Sequence, residues 1–262
     1  MAVPANTVKE RSVIEDRIKD ILETTLDSLQ YMTVDRELEE NAGMQKDILV
    51  YTYTGEVEEV AEGEGNTERG TVAFAEVPYK VKVKQQVFDY TDEQYMKDPM
   101  IVEVGAKGMA QTMKNDMNSD FFTEIAKASQ TVTATAFSYD TVVDALEKMN
   151  LEDESGLFLI IGSDLKADIR KDQDFKSAQL GQILFDGQVG DICGIPVVHS
   201  KKVPANTAFL ATKEAVTCFM KKESEAESDR DKEKRINTEI LRKVCVVALT
   251  DNTKVVKITV SA

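Results

Sequence analysis

Residues 55–70, GEVEEVAEGEGNTERG, contain six glutamates, four glycines and only a few short apolar side chains. Apolar burial within one subunit cannot offset the conformational entropy that such a segment loses when it becomes ordered. Runs of strand-forming residues flank it, KDILVYTY from Lys46 and TVAFAEVPYKVKVKQQV from Thr71. The sequence therefore predicts a long excursion from the fold, either disordered or a hairpin whose packing partner lies elsewhere.

Residues 7–30 predict an amphipathic helix with a narrow apolar stripe. Its apolar residues recur at three- and four-residue steps with charges between them, at Ile14, Ile18, Ile21, Leu22, Leu26 and Leu29. Thr7 followed by Glu10 resembles a capping box. Two interpretations remain open for this helix, which packs either on its own domain or, as an arm, on a neighbouring subunit.

A long helix is predicted from about residue 99 to 127, because Asp98 and Pro99 form a helix start and no proline follows. Its apolar face consists of Val104, Met109, Met113, Met117, Phe121 and Ile125. A methionine stripe of this kind is typical of a core. Gly105 and Gly108 leave one side of the helix without side chains at these positions, which allows another backbone to approach closely.

After this helix, the pattern alternates between short helices and strands. Tyr139–Met149 predicts an amphipathic helix, LFLIIG from Leu157 predicts a buried strand, and Ser163 begins a further helix. Residues 221–235 hold six basic and six acidic residues, which predicts a solvated loop or linker. The last segment, KVCVVALTDNTKVVKITV, predicts a hairpin that turns at Asp251 and Asn252.

Composition and motifs argue against several functions. The net charge of −15 disfavours a protein that grips nucleic acid through a basic surface. Cys193, Cys218 and Cys245 are far apart in apolar surroundings, which predicts buried, reduced thiols and no metal site. His199, the only histidine, is interpreted as a surface or strand-end residue. No phosphate-binding loop, zinc-protease or nucleophile-elbow motif occurs, so neither a catalytic site nor a cofactor is predicted.

No run of about 18 apolar residues is present, so no membrane span is expected. The start MAVPANTVKERS lacks the order of a secretory signal, which predicts that the product remains in the cytoplasm.

Four stretches, taken in order, resemble the major capsid proteins of tailed bacteriophages, which have the Hong Kong 97 fold. They are the helix ending at Gln30, the excursion ending EGEGNTERGTVAF, the long helix DPMIVEVGAKGMAQTMKNDMNSDFFTEI, and GQVGDICGIPVVHSKKVP from Gly187 to Pro204. The last is the most specific, because a glycine-ended turn, Ile-Pro-Val-Val and a return to Val-Pro recur together in these coats. The resemblance covers nearly the whole chain and implies an α+β fold.

The resemblance also implies a division of the chain into regions that meet neighbouring subunits. These are an N-arm (1–32), a peripheral P domain (33–54, 75–135 and 236–262) that holds the long "spine" helix (about 99–127), an extended E-loop (55–74) and an axial A domain (136–235). The N-arm and the E-loop are both expected to reach across to adjacent subunits. Expected inter-subunit contacts are Ile14, Ile18, Leu22, Glu62, Glu64, Arg69, Phe74, Gly187 and Gly190.

What the resemblance implies for function is a non-enzymatic coat protein. It self-assembles into pentamers and hexamers of an icosahedral head that encloses double-stranded DNA of a phage or prophage, contacts that DNA non-specifically, and assembles in the host cytoplasm. Some relatives crosslink their shells through an E-loop lysine, but residues 55–74 contain none, so no isopeptide bond is predicted. The arm helix begins within the first ten residues, so a separate scaffolding protein is expected. The resemblance also implies a portal as a partner.

Two other interpretations remain open. An encapsulin-type nanocompartment shell shares the fold but encloses cargo enzymes in place of a genome. A soluble α+β enzyme with an unrecognised site belongs to a different class, and the glycine-rich excursion would then be an active-site lid.

Overall fold

A computed structural model describes residues 27–60, 62, 65, 69–152, 154–171 and 190–261. The helices of this part are α1 (Glu37–Glu40), α2 (Asp92–Lys97), α3 (Met100–Ile125), α4 (Tyr139–Met149) and α5 (Ser163–Lys171), with 3-10 turns at Ser28–Tyr31 and Asn252–Lys254. The strands are β1 (Thr33–Asp35), β2 (Gln45–Thr54), β3 (Thr71–Lys80), β4 (Lys82–Thr91), β5 (Thr131–Ala134), β6 (Leu157–Ile161), β7 (Asp191–Ile192), β8 (Ile195–His199), β9 (Thr207–Thr212), β10 (Val216–Asp231), β11 (Ile236–Leu249) and β12 (Val255–Val260).

A four-stranded sheet, in the order β1-β10-β11-β4, carries the long helix α3 on one face. Only the β1–β10 pair is parallel. The face of α3 that was predicted to be apolar is buried from Met109 to Ile125, at the positions Met109, Met113, Met117, Phe121 and Ile125. The predicted long helix is therefore confirmed to within two residues at either end.

A six-stranded mixed sheet, in the order β5-β12-β9-β6-β8-β7, forms the second layer. All five residues of β6 are buried, because both faces of this strand are covered. Phe158 and Ile160 join the core that includes α3, whereas Leu159 and Ile161 face a second core formed with α4 and α5. This arrangement explains why LFLII is an uninterrupted apolar run.

The strands β2 and β3 form a separate antiparallel ribbon, paired from Gln45 with Lys80 to Thr54 with Thr71. Its base is anchored by Ile48 and Tyr79, which pack against a small core. The Tyr79 ring stacks on Phe219 with a centroid separation of 4.9 Å. Of the two alternatives for this region, the hairpin is the one observed for the flanking strands.

The prediction of a solvated loop over residues 221–235 is wrong. Residues 216–231 form β10, which pairs with β11 out to Asp231 and Ile236, with register shifts on either side of Lys222. The outer half of β10 is exposed and polar, so it lacks an apolar alternation. Its backbone hydrogen bonds to β11 and ion pairs such as Arg242 with Glu227 (3.0 Å) hold it in the sheet.

The predicted C-terminal hairpin is also wrong. The chain does turn at Asp251, whose side chain accepts a hydrogen bond from the Thr253 amide. Both edges of β11 are already occupied by β10 and β4, however, so β12 crosses into the six-stranded sheet and inserts between β5 and β9.

The cysteine prediction holds in part. All three cysteines are free thiols, and Cys218 and Cys245 are buried in neighbouring strands. A hydrogen bond to Cys245 and burial together raise the pKa of Cys218. Cys193 is only half-buried, because it forms the β7–β8 turn with Gly194, where both residues have positive φ (54° and 76°).

Candidate inter-subunit surfaces

One face of the β2–β3 ribbon exposes a continuous set of large apolar side chains, called here the apolar strip. Residues directly opposite each other in an antiparallel pair share a face, and alternate residues along each strand do the same. The register therefore places Leu49, Tyr51, Tyr53, Val72 and Phe74 on one face. Tyr51 and Phe74 remain 64% and 70% exposed, and soluble monomers rarely leave such a contiguous patch uncovered.

The strip is ordered by contacts within the ribbon. Tyr51 and Phe74 are a cross-strand pair with ring centroids 6.5 Å apart. The Tyr53 ring lies over the backbone of Gly55 and Gly70, where an added Cβ would come within 2.4 Å and 2.1 Å of the phenol oxygen. These two glycines therefore allow the aromatic ring to close over the start of the loop.

The opposite face of the ribbon is smaller and more polar towards its tip, where Thr52, Thr54, Ala73 and Thr71 lie. Thr54 and Thr71 make a hydrogen bond between their hydroxyls (2.8 Å). The two faces therefore differ in chemistry although both are exposed. An apolar partner is expected to cover the strip and not the opposite face.

A second apolar surface, called here the helix groove, lies between the first half of α3 and β4. Its volume is about 410 Å³. The groove is lined by Gln86, Val87, Phe88, Asp98, Ile101, Val104, Gly105, Gly108, Met109 and Thr112. The Phe88 ring rests on Gly105, where an added Cβ would lie 2.3 Å from the ring, and Met96 and Met100 are exposed nearby in sequence. The sequence predicted that Gly105 and Gly108 would allow another backbone to approach closely, but the neighbour at Gly105 is a side chain, the Phe88 ring of the same chain.

Charged side chains attach β4 to α3 beyond the groove. Lys84 contacts Asp116 and Asp120, which are one helical turn apart. Burial lowers the pKa of Lys84, but hydrogen bonds and attraction to the two aspartates outweigh it, so the pKa is raised. Lys202 donates to the Asn115 carbonyl and, at 2.6 Å, to the Ser119 hydroxyl. These contacts fix the helix against both parts of the fold.

The predicted contact residues are only partly brought together. Phe74 joins the strip, while Glu62 and Arg69 are exposed in the loop and Gly190 is exposed directly before β7. The predicted contacts Ile14, Ile18, Leu22, Glu64 and Gly187 lie outside the described residues. Sequence reasoning missed Leu49, Tyr51, Tyr53 and Val72. The alternation of these residues along each strand is visible in the sequence. The pairing register of β2 with β3, which places them on one face, is not.

Little in the described residues suggests chemistry. His199 ends β8, in agreement with its interpretation as a strand-end residue, and lies 2.9 Å from the Ser163 hydroxyl. Across the described ranges, no group of three or more histidine, cysteine or acidic residues is arranged to hold a metal. Within the same ranges, no helix is both long and apolar enough to cross a membrane.

Comparison with solved structures identifies the fold. The chain superposes on the capsid of a native GTA particle with a TM-score of 0.78, at 14% identity and covering 92% of each chain. Against the capsid of the cyanophage P-SCSP1u the TM-score is 0.74, at 11% identity over 88% of this chain and 86% of the other. The α+β architecture is thus the Hong Kong 97-type fold of phage capsids, as the resemblance implied.

Sequence comparison gives the family. A family profile described as "Phage capsid protein" matches residues 74–258. The major capsid protein of Staphylococcus phage phiMR11 is 27% identical over 245 residues, which cover 91% of this chain and 88% of the relative. The chain belongs to the family of phage capsid proteins.

Proposed function

We propose that the chain is the major capsid protein of a tailed phage or prophage, and that its copies form the pentamers and hexamers of an icosahedral head around double-stranded DNA. The observation that carries the proposal is the apolar strip. It is exposed, and it lies on a ribbon whose base packs on the small core of the subunit, while no described residue outside the ribbon covers the strip. A neighbouring copy that covers the strip would remove large apolar side chains from water.

The strip requires a receiving surface on that neighbour, and we propose the helix groove. Leu49 to Tyr53 spans about 13 Å along a strand, and Ile101 to Met109 spans about 12 Å along a helix. The loop at the ribbon's tip is acidic, and the β10–β11 turn, joined to α2 through Arg235 and Glu93 (3.1 Å), carries Lys232, Lys234 and Arg235. Charge complementarity would therefore orient the ribbon along the groove.

Contact between two different surfaces of identical subunits is heterologous, and such contacts close into rings when the rotation permits. This is the contact type that pentamers and hexamers need. Because each pair of surfaces is used once per neighbour, the free energy of assembly would accumulate around the ring. Apolar burial would drive it, and the net charge of −15 would oppose it more strongly at low salt.

The region division also stands as a proposal: N-arm 1–32, E-loop 55–74, P domain 33–54, 75–135 and 236–262, and A domain 136–235. The sheet partners favour two adjustments to it. Strand β10 pairs with β1 and β11, which supports assigning residues 216–231 to the P domain. Strand β12 pairs with β5 and β9, which supports grouping residues 255–260 with the A-domain strands.

We further propose that the partners are a separate scaffolding protein and a portal, that assembly takes place in the host cytoplasm, and that the protein catalyses no reaction. Contacts with packaged DNA would be non-specific, since an acidic wall releases few counterions. An encapsulin-type shell is less well supported, because the family and the curated relative are phage capsid proteins. Shells isolated from the native host should accordingly contain DNA and no cargo enzyme.

The test is assembly of a strip variant. The double variant Tyr51→Ser/Phe74→Ser should fold but form no shells, tubes or rings, alone or with the scaffolding protein, because the strip loses its aromatic pair. A matched control, Thr52→Ser/Ala73→Ser, changes the opposite face of the same strands and should assemble like the wild type. Size-exclusion chromatography and negative-stain electron microscopy give the readout, and circular dichroism checks the fold.

Normal assembly of the strip variant would disprove the role of the strip. A wild-type chain that stays monomeric at every salt concentration tested, even with the scaffolding protein, would contradict the capsid proposal itself. The helix groove has its own test: Val104→Asp should block assembly as the strip variant does, whereas a shell formed by this variant would exclude the groove as the receiving surface.

A further inference from the structure

The β2–β3 ribbon joins the rest of the subunit through two short connections that lie side by side. Residues 41–44 form a bend before β2 and include Gly43, whose φ of 124° favours glycine. The single residue Val81 separates β3 from β4. The Val81 amide donates a hydrogen bond to the Met44 carbonyl at 3.0 Å. Two adjacent connections of this kind form a hinge, so the angle of the ribbon has to be set by side-chain contacts.

Lys46, the second residue of β2, makes such contacts with two different elements of the subunit. Its ammonium is paired with Asp35 of β1 and, at 2.5 Å, with Glu37 of α1. The Lys46 side chain is only 20% exposed, which distinguishes these ion pairs from ordinary surface pairs. Burial lowers the pKa of Lys46, but hydrogen bonds and attraction to the two carboxylates outweigh it, so the pKa is raised. The ammonium therefore stays charged and joined to both carboxylates.

The residue opposite Lys46 strengthens the same junction. Lys46 and Tyr79 are directly opposite each other in the β2–β3 register and share a face of the ribbon. Both contact Phe219 of β10, since the Lys46 ammonium lies 5.6 Å from the ring centroid and the Tyr79 ring stacks on it. This face of the ribbon is the one that does not carry the apolar strip. The junction thus leaves the strip free for a neighbouring copy.

The two carboxylates are themselves fixed on the four-stranded sheet. Asp35 lies in β1, which pairs with β10, and its side chain accepts a hydrogen bond from the Glu37 amide at 2.9 Å. Lys221 of β10 donates to the carbonyls of Leu38 (2.7 Å) and Asn41 at the C-terminal end of α1. Lys46 therefore ties the ribbon to two anchors that are both held on the sheet.

The angle at this junction has a large effect at the far end of the ribbon. From Lys46 to Thr54 the strand runs about 27 Å, so a rotation of about 10° at the base would move the tip by about 5 Å. Apolar side chains are in contact only within about 4.5 Å, so such a rotation would take the strip off its receiving surface. Apolar packing at the base is non-directional, whereas charge-assisted hydrogen bonds favour one geometry.

We propose that Lys46, Asp35 and Glu37 form an ionic clamp that sets the angle of the ribbon, and with it the direction in which the apolar strip meets a neighbouring copy. The second half of this inference rests on the proposed function. In a ring of heterologous contacts, the angle between the strip and the helix groove determines the rotation from one copy to the next. The clamp therefore governs whether the contacts close into shells or continue into open polymers.

Double electron–electron resonance on full-length, unassembled subunits tests the clamp without any assembly. One nitroxide label is attached at Thr52→Cys near the ribbon tip and the other at Ala106→Cys on α3, both exposed positions. The parent protein carries Cys193→Ser, and burial shields Cys218 and Cys245 from the labelling reagent. The distance distribution between the two labels then reports the angle of the ribbon.

Lys46→Met keeps the stem of the side chain but removes its charge, and should widen this distribution by about 5 Å, the displacement of the tip per 10° of rotation. The isosteric variant Asp35→Asn/Glu37→Gln removes the opposite charges and should widen it equally. The triple variant should be no wider, because the same contact is lost in each case. The matched control is Lys80→Met, at an exposed lysine beside the same end of the ribbon, and should equal the parent.

A distribution that stays unchanged in either clamp variant, or widths that add up in the triple variant, would overturn the clamp. Circular dichroism checks that each variant is folded. The isosteric variant still decides the question if Lys46→Met does not fold.

Assembly then tests what the clamp does. Lys46→Met should still associate, because the strip and the helix groove are intact. The fraction of closed shells in negative-stain micrographs should fall several-fold, in favour of open or irregular polymers, whereas Lys80→Met should assemble like the wild type. A widened distribution together with a normal yield of closed shells would overturn the role of the clamp in assembly. A wild-type chain that does not assemble would contradict the proposed function alone, since the distances in free subunits still decide whether the clamp exists.

Discussion

The six-stranded sheet and the β2–β3 ribbon are both built from strand-forming residues, yet the sheet buries its large apolar side chains and the ribbon exposes them. In the sheet, Leu159 and Phe209 are completely buried between helices and a second sheet. In the ribbon, Tyr51 and Phe74 are mostly exposed. Local sequence alone does not distinguish the two. What differs is whether the subunit supplies a covering layer, and among the described residues none covers the ribbon beyond its base.

The largest expected effect on the subunit itself comes from its own core. Phe121→Ala removes a fully buried ring from α3 and should lower the free energy of unfolding by about 3–5 kcal/mol. Urea unfolding of unassembled subunits measures this loss. A change below about 1 kcal/mol would mean that α3 is not the centre of a self-sufficient core, and the contrast with the ribbon would fail.

A smaller loss is expected where α3 meets β4. Gly105→Ala places a methyl group against the Phe88 ring, which must move, and the displacement should outweigh the gain in helix propensity by about 1–2 kcal/mol. Thermal unfolding measures the change. The double variant Gly105→Ala/Phe88→Ala, which removes the clash, should be less destabilised than the sum of the two single variants. Simple additivity would show that the ring does not depend on this glycine.

The ion cluster at Lys84 should contribute less still. Lys84→Met should cost about 1 kcal/mol, because Asp116 and Asp120 are partly exposed and regain water. Since the folded-state pKa of Lys84 is raised, the contribution is complete below the ordinary lysine pKa and lost as pH rises through the folded-state value. Urea unfolding should therefore show a constant difference near neutral pH that shrinks as the pH rises above the ordinary lysine pKa of about 10.4. A difference that grew with pH would contradict this assignment.

The smallest effect on the subunit should come from the strip. Val72→Thr leaves strand propensity nearly unchanged and should alter the free energy of unfolding of an unassembled subunit by less than about 0.5 kcal/mol. Measured by the same urea titration, a loss above about 1 kcal/mol would mean that the strip is covered within the subunit.

The sequence predicts those helices and strands whose own apolar residues form a regular or continuous pattern. Helix α3 and strand β6 are of this kind, since methionines at helical spacing and an unbroken LFLII already indicate their surroundings. The outer half of β10 has no such pattern. Pairing with a neighbouring strand and ion pairs keep it in the sheet, and it buries no apolar face. The apolar strip was likewise predictable only where a single segment of sequence indicated it. Phe74 was anticipated from the resemblance, whereas its neighbours on the strip required the β2–β3 register.

The position of β12 has a consequence for the order of folding events. Strand β5 joins the six-stranded sheet only through its parallel pairing with β12, which sets Thr131 beside Lys257. Strand β5 is therefore synthesised long before β12, the strand with which it pairs. Pairings between residues this distant along the chain form slowly. A nascent subunit would therefore complete this layer after its ribbon has been made, and the apolar strip would meet water before the body behind it is finished. Slow closure of this kind exposes newly made subunits to premature association, a hazard that a chaperone or a scaffolding protein would reduce.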